Sequence, residues 1–425
     1  MNKKIGFLII LGLVLLGVWI FLDSIVFGFV FLILLVILEL LSYLIINNLR
    51  KDFQWLITPK DELPTLDKKG IDKFFAHGFD SELGWVRKPL TSKEEIGKDG
   101  KTKYHINKVG ARENPSHEDL PKEISCYGDS FTFARQVNDD QTFEWQLSEL
   151  TKSNVINFGV GNYGIDQALL RLKKEYSKNK TKIVIMGVVP STIVRILCVW
   201  KHYNEFGNTF GFKPRFKLEN GELKLVENVI NTKEKFENYN KYIDEIKKND
   251  YFYKSKFKDE MIQYPYLVSV LSHPLRNLSL IALVSWYKLF GKKDKIEAYP
   301  MPMKVIMWIN LKLRVKLFKK KPSVTELFTK IVEEFEKYGK ENNFVPVLLW
   351  MPQKDDLGFI EKKGNYYKKF LDNLKIRKID ITDHLMKYSN LDDLYSDDNK
   401  YGGHYSNKGN KFIAKEIKNN LKGLL

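Results

Sequence analysis

A chain of 425 residues, 44% of them hydrophobic, is long enough for one large α/β core plus additions and too apolar to be globally disordered. Two cysteines, Cys126 and Cys198, give neither a disulfide framework nor a C-x-x-C ligand pair, which argues against structural zinc and dithiol redox chemistry and leaves both as small buried hydrophobes. Sixty-nine lysines and arginines against 52 acids leave a formal charge of +17, which a lysine-rich solvated surface explains and which also favours polyanions such as anionic lipid headgroups or nucleic acid.

Ile5 to Leu22 and Ile25 to Ile46 are near-continuous apolar runs, each near the length that spans about 30 Å of hydrocarbon at about 1.5 Å per residue. Only Glu39 interrupts the second. A cleaved signal peptide is shorter and ends in small residues, and a soluble core helix shows a polar face. Residues 1–51 therefore read as a transmembrane helical hairpin, with spans of about 5–22 and 25–46 turning near Asp23 and Ser24. Lys3 and Lys4 flank one end, Arg50 and Lys51 the other, so the positive-inside rule puts both ends and the large domain in the cytoplasm. If the first run does not insert as its own span, the domain lies on the opposite face and Glu39 is a membrane-buried acid in need of a partner.

Residues 52–120 are polar and turn-rich, a lead-in layer in which Gly84-Trp85-Val86-Arg87-Lys88-Pro89 suggests a short edge strand stopped by proline. From residue 121 onward, short apolar strands alternate with helical patterns: Glu123–Tyr127, Val155–Phe158, Lys182–Val189, Phe344–Met351 and Ile376–Ile381. That rhythm predicts a parallel sheet with helices on both faces and a ligand site at the carboxyl ends of the strands. Between about 199 and 322 the rhythm breaks. Phe216–Leu218 and Leu223–Leu225 flank Asn220-Gly221 as a hairpin, a charged helical stretch runs from Thr232 to Tyr253, and Tyr266–Phe290 is apolar but too interrupted for a clean span. Val305–Lys321 mixes apolar and basic residues, fitting either a surface element packed on the core or one lying on an anionic bilayer.

Three segments could carry chemistry. In Cys126-Tyr127-Gly128-Asp129-Ser130, a strand ends on a hydroxyl before a helical pattern, where backbone N–H groups can face a developing negative charge; a serine there is also a common helix N-cap. Asn157-Phe158-Gly159-Val160-Gly161-Asn162-Tyr163-Gly164 matches G-x-G-x-x-G, but the next strand ends in Val188-Val189-Pro190-Ser191 without the carboxylate a dinucleotide ribose needs. An anion-holding turn, with the Gly161 N–H and the Asn162 side chain aimed above Ser130, suits the segment better. Gly402-Gly403-His404-Tyr405 precedes the last helical run and offers an imidazole, the side chain best tuned to take a serine proton near neutral pH.

In that order, the three segments resemble the first, second and fifth sequence blocks of SGNH/GDSL hydrolases. The resemblance covers roughly Pro121 to Leu425, with the segment from Cys198 to Pro322 as a large insert. It implies a flavodoxin-like three-layer α/β/α sandwich with a parallel sheet, the SGNH hydrolase fold, following the membrane hairpin. It also implies Ser130 as nucleophile, His404 as general base, and an oxyanion hole from the Ser130 N–H, the Gly161 N–H and a side-chain amide. The implied substrates are acyl esters, often O-acetyl groups of carbohydrates or cell-envelope polymers, handled with no metal and no cofactor.

Two departures stand out. The third block, Gly-x-Asn-Asp, is replaced by Gly187-Val188-Val189-Pro190, which makes Asn162 the candidate for the missing amide. The aspartate three residues before the histidine is replaced by Tyr401, leaving Asp397 or, preferably, Asp398 to orient the imidazole. These departures keep open a catalytically inactive SGNH-like binding or scaffold protein at the membrane. Nucleic-acid binding rests on charge alone, with no motif behind it, and is not expected. The expected partners are an acyl ester on a small molecule or glycan, and the lipid bilayer.

Overall fold

The computed structural model describes residues 3–22, 25–53, 63–205, 207–290, 301–396 and 403–424. The chain divides into two units, one drawn from residues 1–65, 201–209 and 251–306, the other from Leu66–Trp200, Phe210–Asp250 and Met307–Leu425.

The larger unit is built on five parallel strands, β1 (Lys122–Gly128), β2 (Asn154–Asn157), β3 (Ile183–Val188), β4 (Val345–Trp350) and β5 (Arg377–Asp380), side by side in the order β2-β1-β3-β4-β5. This is the flavodoxin-like winding, whose switch point lies between β1 and β3. Strands covered on both faces must be apolar at successive positions rather than alternate ones, and β3 is buried at every residue. Ile124, Cys126, Ile185, Val347 and Leu349 meet Leu147 of the helix Phe143–Thr151 and Ile413 and Ile417 of the helix Asn407–Asn420. On the opposite face Trp350 meets Phe328 of the helix Pro322–Asn342, ring centroids 6.1 Å apart. Each large apolar side chain buried this way contributes about 1.5–3 kcal/mol.

The ends of β1 and β3 approach closely enough to demand glycine. A Cβ on Gly128 would stand 2.3 Å from the Gly187 carbonyl oxygen and 2.1 Å from the Thr132 hydroxyl. That hydroxyl instead donates to the Gly187 carbonyl at 3.2 Å, tying the turn after β1 to β3.

Outside the sheet, Gly84–Trp85 pairs antiparallel with Phe79–Asp80, and Ser92–Gly97 with Gly100–His105. The Asn220-Gly221 hairpin forms as expected, joining Arg215–Glu219 to Glu222–Val226 with φ of 52° and 82° at its two turn residues. The charged stretch from Thr232 is not one helix. It breaks into Lys233–Glu237, Tyr239–Tyr242 and Ile243–Asn249: Asn238 ends the first, its N–H donating to the Glu234 carbonyl at 3.0 Å, and past Asn249 the Asp250 carboxylate accepts from the N–H groups of Val199 (2.7 Å) and Trp200 (3.1 Å). The basic segment forms the helix Met301–Lys320, with Leu311 and Leu317 buried and Arg314 ion-paired to Asp355 and Asp356. The core-packing reading holds for that side of the helix.

In the smaller unit the apolar N-terminal runs form the helices Lys3–Leu22 and Ile25–Phe53. Among the described residues, Gly28–Arg50 is long and apolar enough to cross a bilayer, whereas the apolar part of the first helix, Leu8–Trp19, is shorter. The expected pair of spans is therefore not shown. The interrupted stretch is two helices, Tyr266–Ser272 and Pro274–Phe290, bent by 111°. Tyr266, Val270, Leu280 and Val284 pack with Ile46 and Leu49. Glu39 finds its partner here: its carboxylate accepts from the N–H groups of Tyr266 (2.6 Å) and Leu267 (2.8 Å), the first turn of the helix Tyr266–Ser272.

Candidate active site

Ser130 follows β1 and is buried. No regular helix follows it. Residues 130–136 form successive turns, with Ala134 and Gln136 at φ of 53° and 68°, and the next α-helix begins only at Phe143. The physical reason is competition for carbonyls. Buried Arg112 donates to the carbonyls of Phe133 (2.8 Å), Ala134 (2.6 Å) and Val137 (2.6 Å), and the Asn157 amide donates to that of Thr132 (3.0 Å). Those acceptors are no longer available to helical N–H donors. Asp129 is held in place by its own contacts, accepting from the Phe131 N–H at 2.8 Å and pairing with Arg195.

The glycine segment after β2 lies against this turn. Phe158 and Val160 donate to the carbonyls of Cys126 (2.8 Å) and Gly128 (3.0 Å). A Cβ on Gly159 would stand 2.3 Å from the Phe133 nitrogen, so glycine alone permits the approach. The Trp85 indole donates to the Gly161 carbonyl at 3.0 Å. Among the described residues, neither the Ser130 N–H nor the Gly161 N–H meets an acceptor, which leaves two backbone donors at the end of the sheet for a developing oxyanion. Asn162 stands exposed at the tip of its turn with φ of 67°.

His404 arrives from the far end of the chain, its ring centroid 4.7 Å from that of Phe131, the residue after Ser130. Its Nδ1 lies 2.8 Å from Gln136 Oε1. The amide orientation follows from its other end, since Gln136 Nε2 donates to the Ile96 carbonyl at 3.1 Å, leaving the oxygen to face the histidine. Because an amide oxygen only accepts, the proton is assigned to Nδ1, and Nε2 is the basic nitrogen. Glu95 braces the same loop, accepting from the Gln136 N–H at 3.1 Å and from Arg135 at 2.8 Å. Desolvation of the ring lowers the His404 pKa well below its usual 6.5, with further lowering from the guanidiniums of Arg135, Arg195 and Arg87. No hydrogen bond joins the Ser130 hydroxyl to His404 among the described residues. Asp397, Asp398 and Tyr401 lie outside the described residues.

After β3 the short helix Thr192–Arg195 ends on Arg195. Arg195 Nη1 bonds Asp129 and the Tyr163 carbonyl (3.0 Å), stitching together the loops after β1, β2 and β3. Gln136, Glu95, Arg112 and Arg195 are absent from the sequence reading, and no spacing signal points to them. One group offers metal-ligand atoms among the described residues: His105, Glu113 and Asp139. Its Asp139 already pairs with Arg112 at 2.8 Å and His105 at 2.7 Å, the chemistry of an ion-pair cluster.

No protein-family model matches the chain, and no curated protein matches it. Among solved structures, the chain is similar to a lipolytic protein assigned to the G-D-S-L family from Desulfitobacterium hafniense DCB-2, with 12% identity, 71% of this chain and 99% of that one covered, and a TM-score of 0.34. It is similar to the acetyl xylan esterase AlAXEase, with 11% identity, 70% and 98% covered, and a TM-score of 0.32. A third is the lipase/acylhydrolase from Enterococcus faecalis, with 12% identity, 72% and 97% covered, and a TM-score of 0.30.

Proposed function

We propose that the chain is a serine esterase or acyltransferase acting on an ester-linked acyl group. One observation carries the reading. The His404 ring, tethered through Nδ1, packs 4.7 Å from the ring of Phe131, the neighbour of Ser130, and the N–H groups of Ser130 and Gly161, which follow β1 and β2, meet no acceptor among the described residues. In the first step a lone pair of Ser130 Oγ forms a bond to the ester carbonyl carbon, the C=O π pair moves onto oxygen, and the hydroxyl proton passes to His404 Nε2. The N–H groups of Ser130 and Gly161 hold the oxyanion. Collapse re-forms the carbonyl and expels the alkoxide, which takes the proton back from Nε2. Water or a sugar hydroxyl then repeats the sequence on the acyl-serine.

Gln136 stands where a carboxylate often orients such a histidine. An amide oxygen fixes the same tautomer but offers only a partial charge to the imidazolium, so His404 is a correctly aimed, weaker base. The substrate class we favour is an O-acyl, chiefly O-acetyl, group of a carbohydrate or cell-envelope molecule. We place the enzyme at a membrane through Gly28–Arg50, with the large domain on the cytoplasmic face where the first helix, Lys3–Leu22, also inserts and on the opposite face where it does not; protease accessibility in spheroplasts distinguishes the two. Activity is tested with a chromogenic acetyl ester and a serine-directed phosphonate. Labelling of the wild type but not of Ser130→Ala supports the proposal, and absence of labelling in both leaves a binding module without esterase chemistry.

A further inference from the structure

We infer that Arg87 is a third donor to the oxyanion, its guanidinium doing from the lead-in segment what a side-chain amide does in other oxyanion holes; this rests on the Ser130 reading above. The segment that carries it is fastened to the glycine turn. The Trp85 indole donates to the Gly161 carbonyl at 3.0 Å, and the Tyr163 hydroxyl donates back to the Trp85 carbonyl. Two residues on, the Arg87 guanidinium lies over the Phe133 ring at 3.7 Å and the Tyr104 ring at 4.5 Å. Its Nη1 donates to the Tyr104 hydroxyl. Its Nη2 stands 3.9 Å from where a Cβ on Gly161 would be, so the absence of a side chain at Gly161 leaves the space in front of it open.

Three arginines bear on His404, and two of them have carboxylates: Arg135 pairs with Glu95 and Arg195 with Asp129. Arg87 has none. Among the described residues no carboxylate bonds it, its buried Nε has no partner, and Nη2 meets no acceptor. A desolvated cation with no carboxylate bonded to it is costly to keep. Burial pushes its pKa down to about 10, which still leaves it charged at neutral pH. Such a cation becomes favourable when negative charge develops beside Gly161, the moment at which Ser130 Oγ bonds the carbonyl carbon and the π pair settles on oxygen. Interaction that grows from ester to tetrahedral intermediate raises kcat rather than tightening substrate binding.

The experiment compares full-length wild type, Arg87→Met and Arg87→Lys in detergent, with neutral p-nitrophenyl acetate and a neutral phosphonate as probes. Methionine keeps an apolar stem on the Phe133 and Tyr104 rings while removing the charge, and circular dichroism melts verify that each variant folds. The expected result is a kcat loss of about 10²- to 10³-fold in Arg87→Met, the size of one lost oxyanion donor. KM should stay within a few fold, phosphonate labelling should slow in parallel, and Arg87→Lys should fall in between. Should the methionine variant not fold, the lysine variant alone decides, since it must lower kcat on the neutral ester. Wild-type turnover of the neutral ester by both variants overturns the inference, as does a defect confined to esters bearing a negative charge, which would make Arg87 a reader of substrate charge. If the wild type is neither active nor labelled, the Ser130 reading fails and takes this one with it; if it is labelled and the variants match it, only the role of Arg87 falls.

Discussion

Replacing Gln136 by leucine removes the acceptor that aims His404 while preserving side-chain bulk. In the wild type the Nδ1–H bond to Gln136 Oε1 at 2.8 Å fixes the tautomer that leaves Nε2 basic. Without it a desolvated N–H is left unpaired, a cost of about 1–3 kcal/mol, and the ring is released to the other tautomer. At about 1.36 kcal/mol per tenfold in rate, kcat/KM should fall by about 5- to 150-fold. Gln136→Glu acts in the opposite sense on charge, placing a carboxylate against the imidazole, which raises its pKa. The assay is kcat/KM for a neutral chromogenic ester between about pH 4 and 9. His404 must be unprotonated to act, so the rate declines as pH drops through its pKa; because that pKa lies well below 6.5, the wild-type acidic limb lies on the acid side of 6.5. It should move to higher pH in Gln136→Glu. A leucine variant with wild-type kcat/KM, or a glutamate variant with an unmoved acidic limb, would show that Gln136 does not position the base.

Arg112→Lys keeps a charge beside Asp139 but strips the fork that holds three carbonyls of the Ser130 turn. Leaving buried acceptors unpaired at about 1–3 kcal/mol each should lower Tm by several degrees and depress esterase activity further than the melting loss explains; an unchanged melt refutes the role given to Arg112. Glu144 is fully buried, and desolvation holds its carboxyl pKa well above 4.5. A raised carboxyl pKa contributes stability that is complete below 4.5 and is lost as pH rises toward the folded-state value. Glutamine does not titrate, so Glu144→Gln should gain on the wild type as pH rises from 5 to 8, whereas a constant gap between the two melting curves over that range contradicts the assignment.

The sheet was readable because its strands are buried on both faces. Runs such as Ile183–Val188 admit little but a covered parallel strand, and the hairpin at Asn220-Gly221 announces itself through residues that tolerate positive φ. Ser130, Gly161 and His404 were readable as residues set at strand ends and before a helix. What surrounds them was not. The helical pattern after Ser130 is overridden by Arg112 and Asn157, side chains 18 positions before it and 27 positions after it. Gln136 is a polar residue in a polar loop, without periodicity or neighbouring glycine to mark it. Arg87 sits in a segment that reads as a turn-rich connector, and its role depends on being laid against Gly161. The bent helices near Tyr266 were obscured by the His273-Pro274 break, which in the structure is the corner between them.

The bond between Glu39 and the backbone of Tyr266 spans 227 residues of chain, and that distance is also an interval of time. A ribosome adding about 5–20 residues per second delivers Tyr266 about 11–45 s after Glu39. If Gly28–Arg50 enters a bilayer as we propose, the acid passes through translocation before its N–H donors exist. During that interval the acid is either solvated, by water or by a component of the insertion apparatus, or held neutral by a proton. On that reading biogenesis has a built-in order, in which the helix Ile25–Phe53 is completed only when a later part of the polypeptide arrives to close over its carboxylate.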